Sequence, residues 1–134
     1  MLYLEKEIKM KKIISTKNAP QAIGSYSQAV LCKDTLYCSG QIAINPESGN
    51  LIIDNIKNET NQIMKNIQEI LKAAKMDFNN VVKSTIYMKN IDDYEQINET
   101  YSKYFNSHLP AREAIQISLL PKNVNLEISI IAVI

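Results

Sequence analysis

The last nine residues, Leu126-Glu127-Ile128-Ser129-Ile130-Ile131-Ala132-Val133-Ile134, alternate at the period of a β-strand. Leu126, Ile128, Ile130, Ala132 and Ile134 fall on one face and Glu127, Ser129, Ile131 and Val133 on the other, because successive strand side chains point to opposite sides of a sheet. The second half of this strand is apolar on both faces. A layer of helices covers one face of a sheet, so the other needs a cover, and a second copy of the chain is the simplest candidate.

Residues 112–119 alternate in the same way, with Glu113, Ile115, Ile117 and Leu119 on one face and Arg112, Ala114, Gln116 and Ser118 on the other. A simple hairpin of 112–119 with 126–133 would set Arg112 opposite Val133 and Glu127 opposite Ser118, with the two charges about 20 Å apart. A site shared by both therefore requires another pairing, or a meeting across a subunit boundary.

Upstream, Asn55–Lys75 carries Ile56, Ile63, Ile67, Ile70, Leu71 and Ala74 at helical spacing, which predicts the longest helix with one face for a core. Val81–Met88 has the β-branched and aromatic content of a strand. A second helix is predicted over Asp93–Asn106, with Asp92 and Glu95 at capping-box spacing and Tyr94, Ile97, Tyr101, Tyr104 and Phe105 on a buried stripe. Near the start, Ser27–Lys33 and Thr35–Gln41 read as a hairpin turning at Lys33-Asp34, and Asn45–Asn50 as a loop. Residues 1–9 read as an extension, because Met10-Lys11-Lys12-Ile13-Ile14 is a second possible start, and 10–134 as one domain. The order β, β, β, α, β, α, β, β predicts an α+β sheet with two helices on one side.

Lys and Arg number 15 against 14 Asp and Glu, a formal charge of +1, so nothing pulls the chain towards a nucleic-acid backbone or an anionic membrane. No apolar run reaches the roughly 20 residues of a spanning helix, and the charged opening is unlike a signal peptide, which points to a soluble, cytoplasmic protein. Cys32, Cys38 and the lone His108 cannot build a four-ligand zinc site, and two reduced cysteines are expected. His108 reads as a cap or surface residue rather than a base. Arg112, the only arginine, is either a surface salt-bridge partner or a planar fork for a carboxylate. Glu127 either faces solvent or is held in a cleft.

Four segments in register, Ala22-Ile23-Gly24-Ser25-Tyr26-Ser27-Gln28-Ala29, Ser39-Gly40-Gln41-Ile42 with Asn45-Pro46 and Gly49, Pro110-Ala111-Arg112, and Leu126-Glu127-Ile128, resemble the RidA/YjgF family of reactive-intermediate deaminases over about Lys12–Ile134. The resemblance implies a chorismate-mutase-like α+β fold and a homotrimer with helices outside and clefts between subunits. It implies hydrolysis of 2-imino acids, such as 2-iminopropanoate and 2-iminobutanoate from enamines released by pyridoxal-phosphate enzymes, to 2-keto acids and ammonia, with no metal or cofactor. By the same resemblance Arg112 binds the substrate carboxylate and Glu127 is the acid associated with water. Tyr26, Ser39 and Asn98 line the cleft, and Gly40 serves the backbone beside it. The family often has a small residue and then a cysteine after the arginine; here stand Glu113 and Ala114, and Ala114 shares the face of Arg112. The segment between Asn98 and Arg112 is also shorter than the family pattern. A ligand-sensing, regulatory protein is the rival reading, and a ribonuclease or translation inhibitor the less favoured one, given the neutral charge and single histidine.

Overall fold

The computed structural model describes residues 10–134, and the extension expected over residues 1–9 lies outside the described residues. In chain order the elements are β1 (Lys11–Ile14), β2 (Ala29–Cys32), β3 (Thr35–Cys38), α1 (Ile56–Ala73), β4 (Val81–Met88), α2 (Tyr94–Ser102), β5 (Ala111–Gln116) and β6 (Leu126–Val133). They form the expected α+β arrangement, a six-stranded mixed sheet in the order β1-β2-β3-β6-β4-β5 with both helices on one face.

A simple hairpin of the last two strands does not form. β6 inserts between β3 and β4, antiparallel to both, while β5 lies parallel to β4 at the sheet edge. Parallel neighbours need a crossover, and α2 supplies it between β4 and β5. β6 thereby becomes a central strand, and its even-numbered residues Leu126, Ile128, Ile130 and Ala132 are almost wholly buried under the helices.

The α1 prediction is met at every apolar position, each of which is buried. Asn55 caps the helix by accepting the Asn58 N–H at 2.8 Å. The second helix differs from its prediction. It ends at Ser102 rather than Asn106, Asp93 makes no side-chain cap, and Asn90 instead caps a preceding 3-10 turn over Ile91–Asp93. Ile97 and Tyr101 are buried and Tyr104 and Phe105 pack against the core, but Tyr94 is exposed. The strands are also shorter than their alternation suggests: β2 begins at Ala29, β3 stops at Cys38 and β5 at Gln116, because pairing partners run out before the pattern does. Lys33, in the left-handed region at φ 56°, makes the predicted turn.

On the face away from the helices, register aligns Ile13, Val30, Tyr37 and Ile131 in one row. Ile13 is 60% and Tyr37 53% exposed, and Ile115 on β5 adds to the same face at 46%. No helix among the described residues is long and apolar enough to cross a membrane.

Candidate functional site

Tyr37 lies opposite Ile131, yet Gln41, four residues on, lies opposite Ile128, three residues back. One extra residue is therefore accommodated around Ser39-Gly40, a bulge that ends the regular pairing of β3. The bulge turns the chain over Glu127. A Cβ at Gly40 would stand 2.8 Å from the Glu127 carboxyl carbon, so only glycine allows this approach. Ser39 donates its hydroxyl to the Ser27 carbonyl at 2.6 Å, tying the bulge to the 20–28 loop.

These segments enclose a cleft of about 630 Å³, lined by Tyr26, Ser39, Gly40 and Glu127 among others. Glu127 is half-buried, and that burial raises its carboxyl above its ordinary value. No hydrogen bond to its side chain occurs among the described residues. A carboxylate with a raised pKa and free lone pairs in a cleft is suited to take a proton from water.

Arg112 stands elsewhere. Its Nη1 donates to Asn98 Oδ1 at 2.8 Å and its Nη2 to the Tyr94 hydroxyl at 2.7 Å. The guanidinium carbon lies 5.5 Å from the Tyr94 ring centre and 5.3 Å from that of Tyr101. Tyr101 is itself fixed by donating its hydroxyl to Ser84 at 2.8 Å. These contacts hold the fork at the β5 edge while leaving three of its five N–H groups for another partner. Ala114 pairs with Ile86 and packs on the core, on the face of Arg112 as alternation requires.

Seven residues were expected in one cleft, and the protomer places them in two separate groups, one around Glu127 and one around Arg112. Arg112 is opposite Ser84 and Glu127 opposite Tyr87; Ser84 and Tyr87 are three residues apart, so their side chains leave opposite faces of the sheet. Across two strand spacings and three residues, the two α-carbons are about 14 Å apart. Avoiding the hairpin is thus insufficient to unite them within one chain, so a site shared by both requires a subunit boundary. His108 lies outside the cleft, exposed, its ring 3.3 Å from the Val81 carbonyl and from the Ser107 hydroxyl.

Sequence reasoning missed Tyr94 and Tyr101 as the cradle of Arg112, because helical spacing alone assigns both to a core stripe. It also missed Gln28. This buried amide receives the Thr16 N–H at 2.7 Å and donates to the carbonyls of Thr16 at 3.0 Å and Pro20 at 2.8 Å, so it fixes the cleft loop. Its place in the first motif segment, as a polar residue beside Ala29 in a strand-like run, was the available signal.

A family model described as Endoribonuclease L-PSP matches residues 16–134. A rat protein (Rattus norvegicus) named 2-iminobutanoate/2-iminopropanoate deaminase is 51% identical over 92% of this chain and 90% of its own. A Lactococcus lactis relative carrying a provisional regulator name, AldR, is 49% identical over 90% and 96%. The solved structure of YyfA from Yersinia pestis, described as a member of the conserved Rid family, superposes with a TM-score of 0.90 at 44% identity, covering 92% and 99%. The chain belongs to the RidA/YjgF family.

Membership gives the glycine at position 40 a testable consequence within a RidA/YjgF cleft. A methyl there meets the flexible end of Glu127 and not backbone, so Gly40→Ala should fold with a near-normal melting temperature. If the Glu127 carboxylate acts in the reaction, turnover should nonetheless fall by about tenfold or more, since a displacement on the order of 1 Å of a reacting group is costly. Thermal melting and keto-acid release on one preparation test this; full activity would mean that the Glu127 position is not critical.

Proposed function

We propose that this protein is a hydrolytic deaminase that converts 2-imino acids such as 2-iminopropanoate and 2-iminobutanoate to 2-keto acids and ammonia. The observation that carries the reading is the half-buried Glu127 carboxylate lying on Gly40 in the cleft, without a hydrogen-bond partner for its side chain among the described residues. Relatives with that activity in their names, at about half identity over most of the chain, support it.

Arg112 grips the substrate carboxylate with the N–H groups that Asn98 and Tyr94 leave free. Glu127 accepts a proton from water as the water oxygen adds to the carbon of the protonated C=N bond. The resulting carbinolamine takes on its nitrogen the proton held by Glu127. As the C–N bond breaks, the hydroxyl oxygen forms the C=O bond and gives its proton back to the Glu127 carboxylate, which passes it to the departing ammonia, and keto acid and ammonium leave. Tyr26, Ser39 and Asn98 are polar groups available to the changing oxygen and nitrogen. The steps use side chains of this protein, water and a small-molecule substrate.

The two half-sites complete each other when the Arg112 edge of one protomer meets the Glu127 cleft of the next. Three copies arranged head to tail give three such clefts and cover the apolar row of Ile13, Val30, Tyr37 and Ile131. Light scattering should therefore report about three times the 15.2 kDa chain mass. A monomer at micromolar concentration would remove the shared cleft. The free thiols of Cys32 and Cys38 fit a cytoplasmic location.

The deciding assay generates 2-iminobutanoate or 2-iminopropanoate with a dehydratase and asks whether the protein accelerates keto-acid and ammonia release. No acceleration, with retained keto-acid binding, would favour the regulatory reading that the AldR relative's name supports. A formal charge of +1 weighs against a nuclease role.

A further inference from the structure

One buried carboxylate takes no part in the chemistry above. Glu59, in the first turn of α1, is fully buried, and its two oxygens receive the Asn125 backbone N–H at 2.9 Å and the Asn125 side-chain amide at 2.8 Å. The ion pairs among the described residues, Lys72–Glu69, Lys83–Glu113 and Lys103–Glu99, do not include it. Asp93 is the nearby charge and repels it, and burial raises its carboxyl while the Asn125 and Leu126 donors draw it back. A buried carboxylate without a cation is costly to keep, whereas a packed apolar side chain is not.

What Glu59 holds is the middle of a segment whose two ends line the cleft. Pro121 and Lys122 stand at one end and Glu127 at the other. Within this segment Lys122 and Asn123 adopt left-handed backbone at φ 55° and 54°, which Asn tolerates but which costs energy at Lys122. Asn125 is pinned on a third side, its carbonyl accepting the Lys89 N–H at 3.0 Å. From Asn125 the chain enters β6, and two residues later Glu127 emerges on the opposite face against Gly40.

We propose that Glu59 is a positioning residue of the active site: by gripping Asn125 from the helix side it sets the 121–127 segment so that Lys122 and Glu127 stand correctly in the cleft. The inference rests on the deaminase reading for its kinetic consequence and on geometry alone for the grip.

The test is a swap of the two partners. Asn125→Asp places a second carboxylate about 2.8 Å from Glu59, and two such groups cannot both ionise without repulsion. Relative to wild type at each pH, its turnover should be lowered by about tenfold or more at pH 8 and recover towards pH 5, where one proton is shared, with little change in KM. Adding Glu59→Gln restores a donor facing an acceptor, and the double variant should return to within about threefold of wild type at pH 8. Amide hydrogen exchange over residues 121–127 should follow the same order. If Asn125→Asp does not fold, Asn125→Ala, which removes only the side-chain bond, should still speed that exchange and lower kcat more than it raises KM. Wild-type turnover and exchange in Asn125→Asp at pH 8, or a double variant that regains its melting temperature without regaining turnover, would overturn the proposal. Absence of imine hydrolysis by the wild type would instead remove the deaminase reading, and the exchange order would still decide whether the grip exists.

Discussion

Arg112→Ala is expected to lower kcat/KM for 2-imino acids several hundred-fold or more while leaving the melting temperature close to that of the wild type. The side chain is partly exposed at a sheet edge, and its hydrogen bonds go to Asn98 and Tyr94 on the surface of α2, so the core does not depend on it. Its loss removes two charge-assisted hydrogen bonds to the substrate carboxylate, together about 3–5 kcal/mol of transition-state binding. Arg112→Lys should lose most of that as well. One ammonium cannot bond Asn98 and Tyr94, stack between the Tyr94 and Tyr101 rings and still present two parallel donors. Single-turnover keto-acid release beside thermal melting gives both numbers. A lysine variant near wild type would end the two-point grip, and an alanine variant near wild type would remove Arg112 from the site.

Glu127→Gln separates three roles for one carboxylate. If Glu127 takes a proton from the attacking water, the amide keeps the size and removes the base, and turnover should fall about 10²–10⁴-fold with little change in affinity for a keto-acid product. If it only orients the water, the loss should stay within about tenfold. A merely solvated strand residue would leave both rate and affinity unmoved. The first outcome is expected, because burial in the cleft makes Glu127 a better base than an exposed glutamate. The pH dependence carries the same sign. The working form is the carboxylate, so activity should fall as the pH drops through a folded pKa raised above 4.5, and this acid limb should vanish in Glu127→Gln. Stability runs the other way: the protonated, buried form is favoured, so Glu127's contribution is fully present below its unfolded pKa and is lost as pH rises through the folded value. An acid limb unchanged in Glu127→Gln would assign it to another group.

The element order, the apolar face of α1, the turn at Lys33 and the two-sided apolar character of β6 were all legible in the residues, because each is written in local periodicity or in a single backbone requirement. Alternation also placed Ala114 beside Arg112 correctly, since the face of a residue within a strand depends only on parity. Strand ends and the shorter second helix were not legible: they depend on where a neighbour stops, which no local pattern encodes.

The candidate site divides along the same line. The motif segments with Tyr26, Ser39, Gly40, Asn98, Arg112 and Glu127 could be picked out of the sequence, and so could the conflict between Arg112 and Glu127 in a simple hairpin. Their separation onto opposite faces could not, because it follows from β6 entering between β3 and β4 while β5 goes to the edge. Strand order is a long-range choice set by the packing of helices and sheet together. The same choice decides what a neutral-looking residue does. It turns Tyr94 from an expected core residue into a wall for Arg112, and brings Glu59 to Asn125, 66 residues away in the chain and just ahead of the strand that carries Glu127. Composition and periodicity determined which surfaces this chain must bury; only the three-dimensional path determined which polar groups meet once they are buried, since a hydrogen bond or a cleft joins residues by distance in space, and distance along the chain says nothing about it.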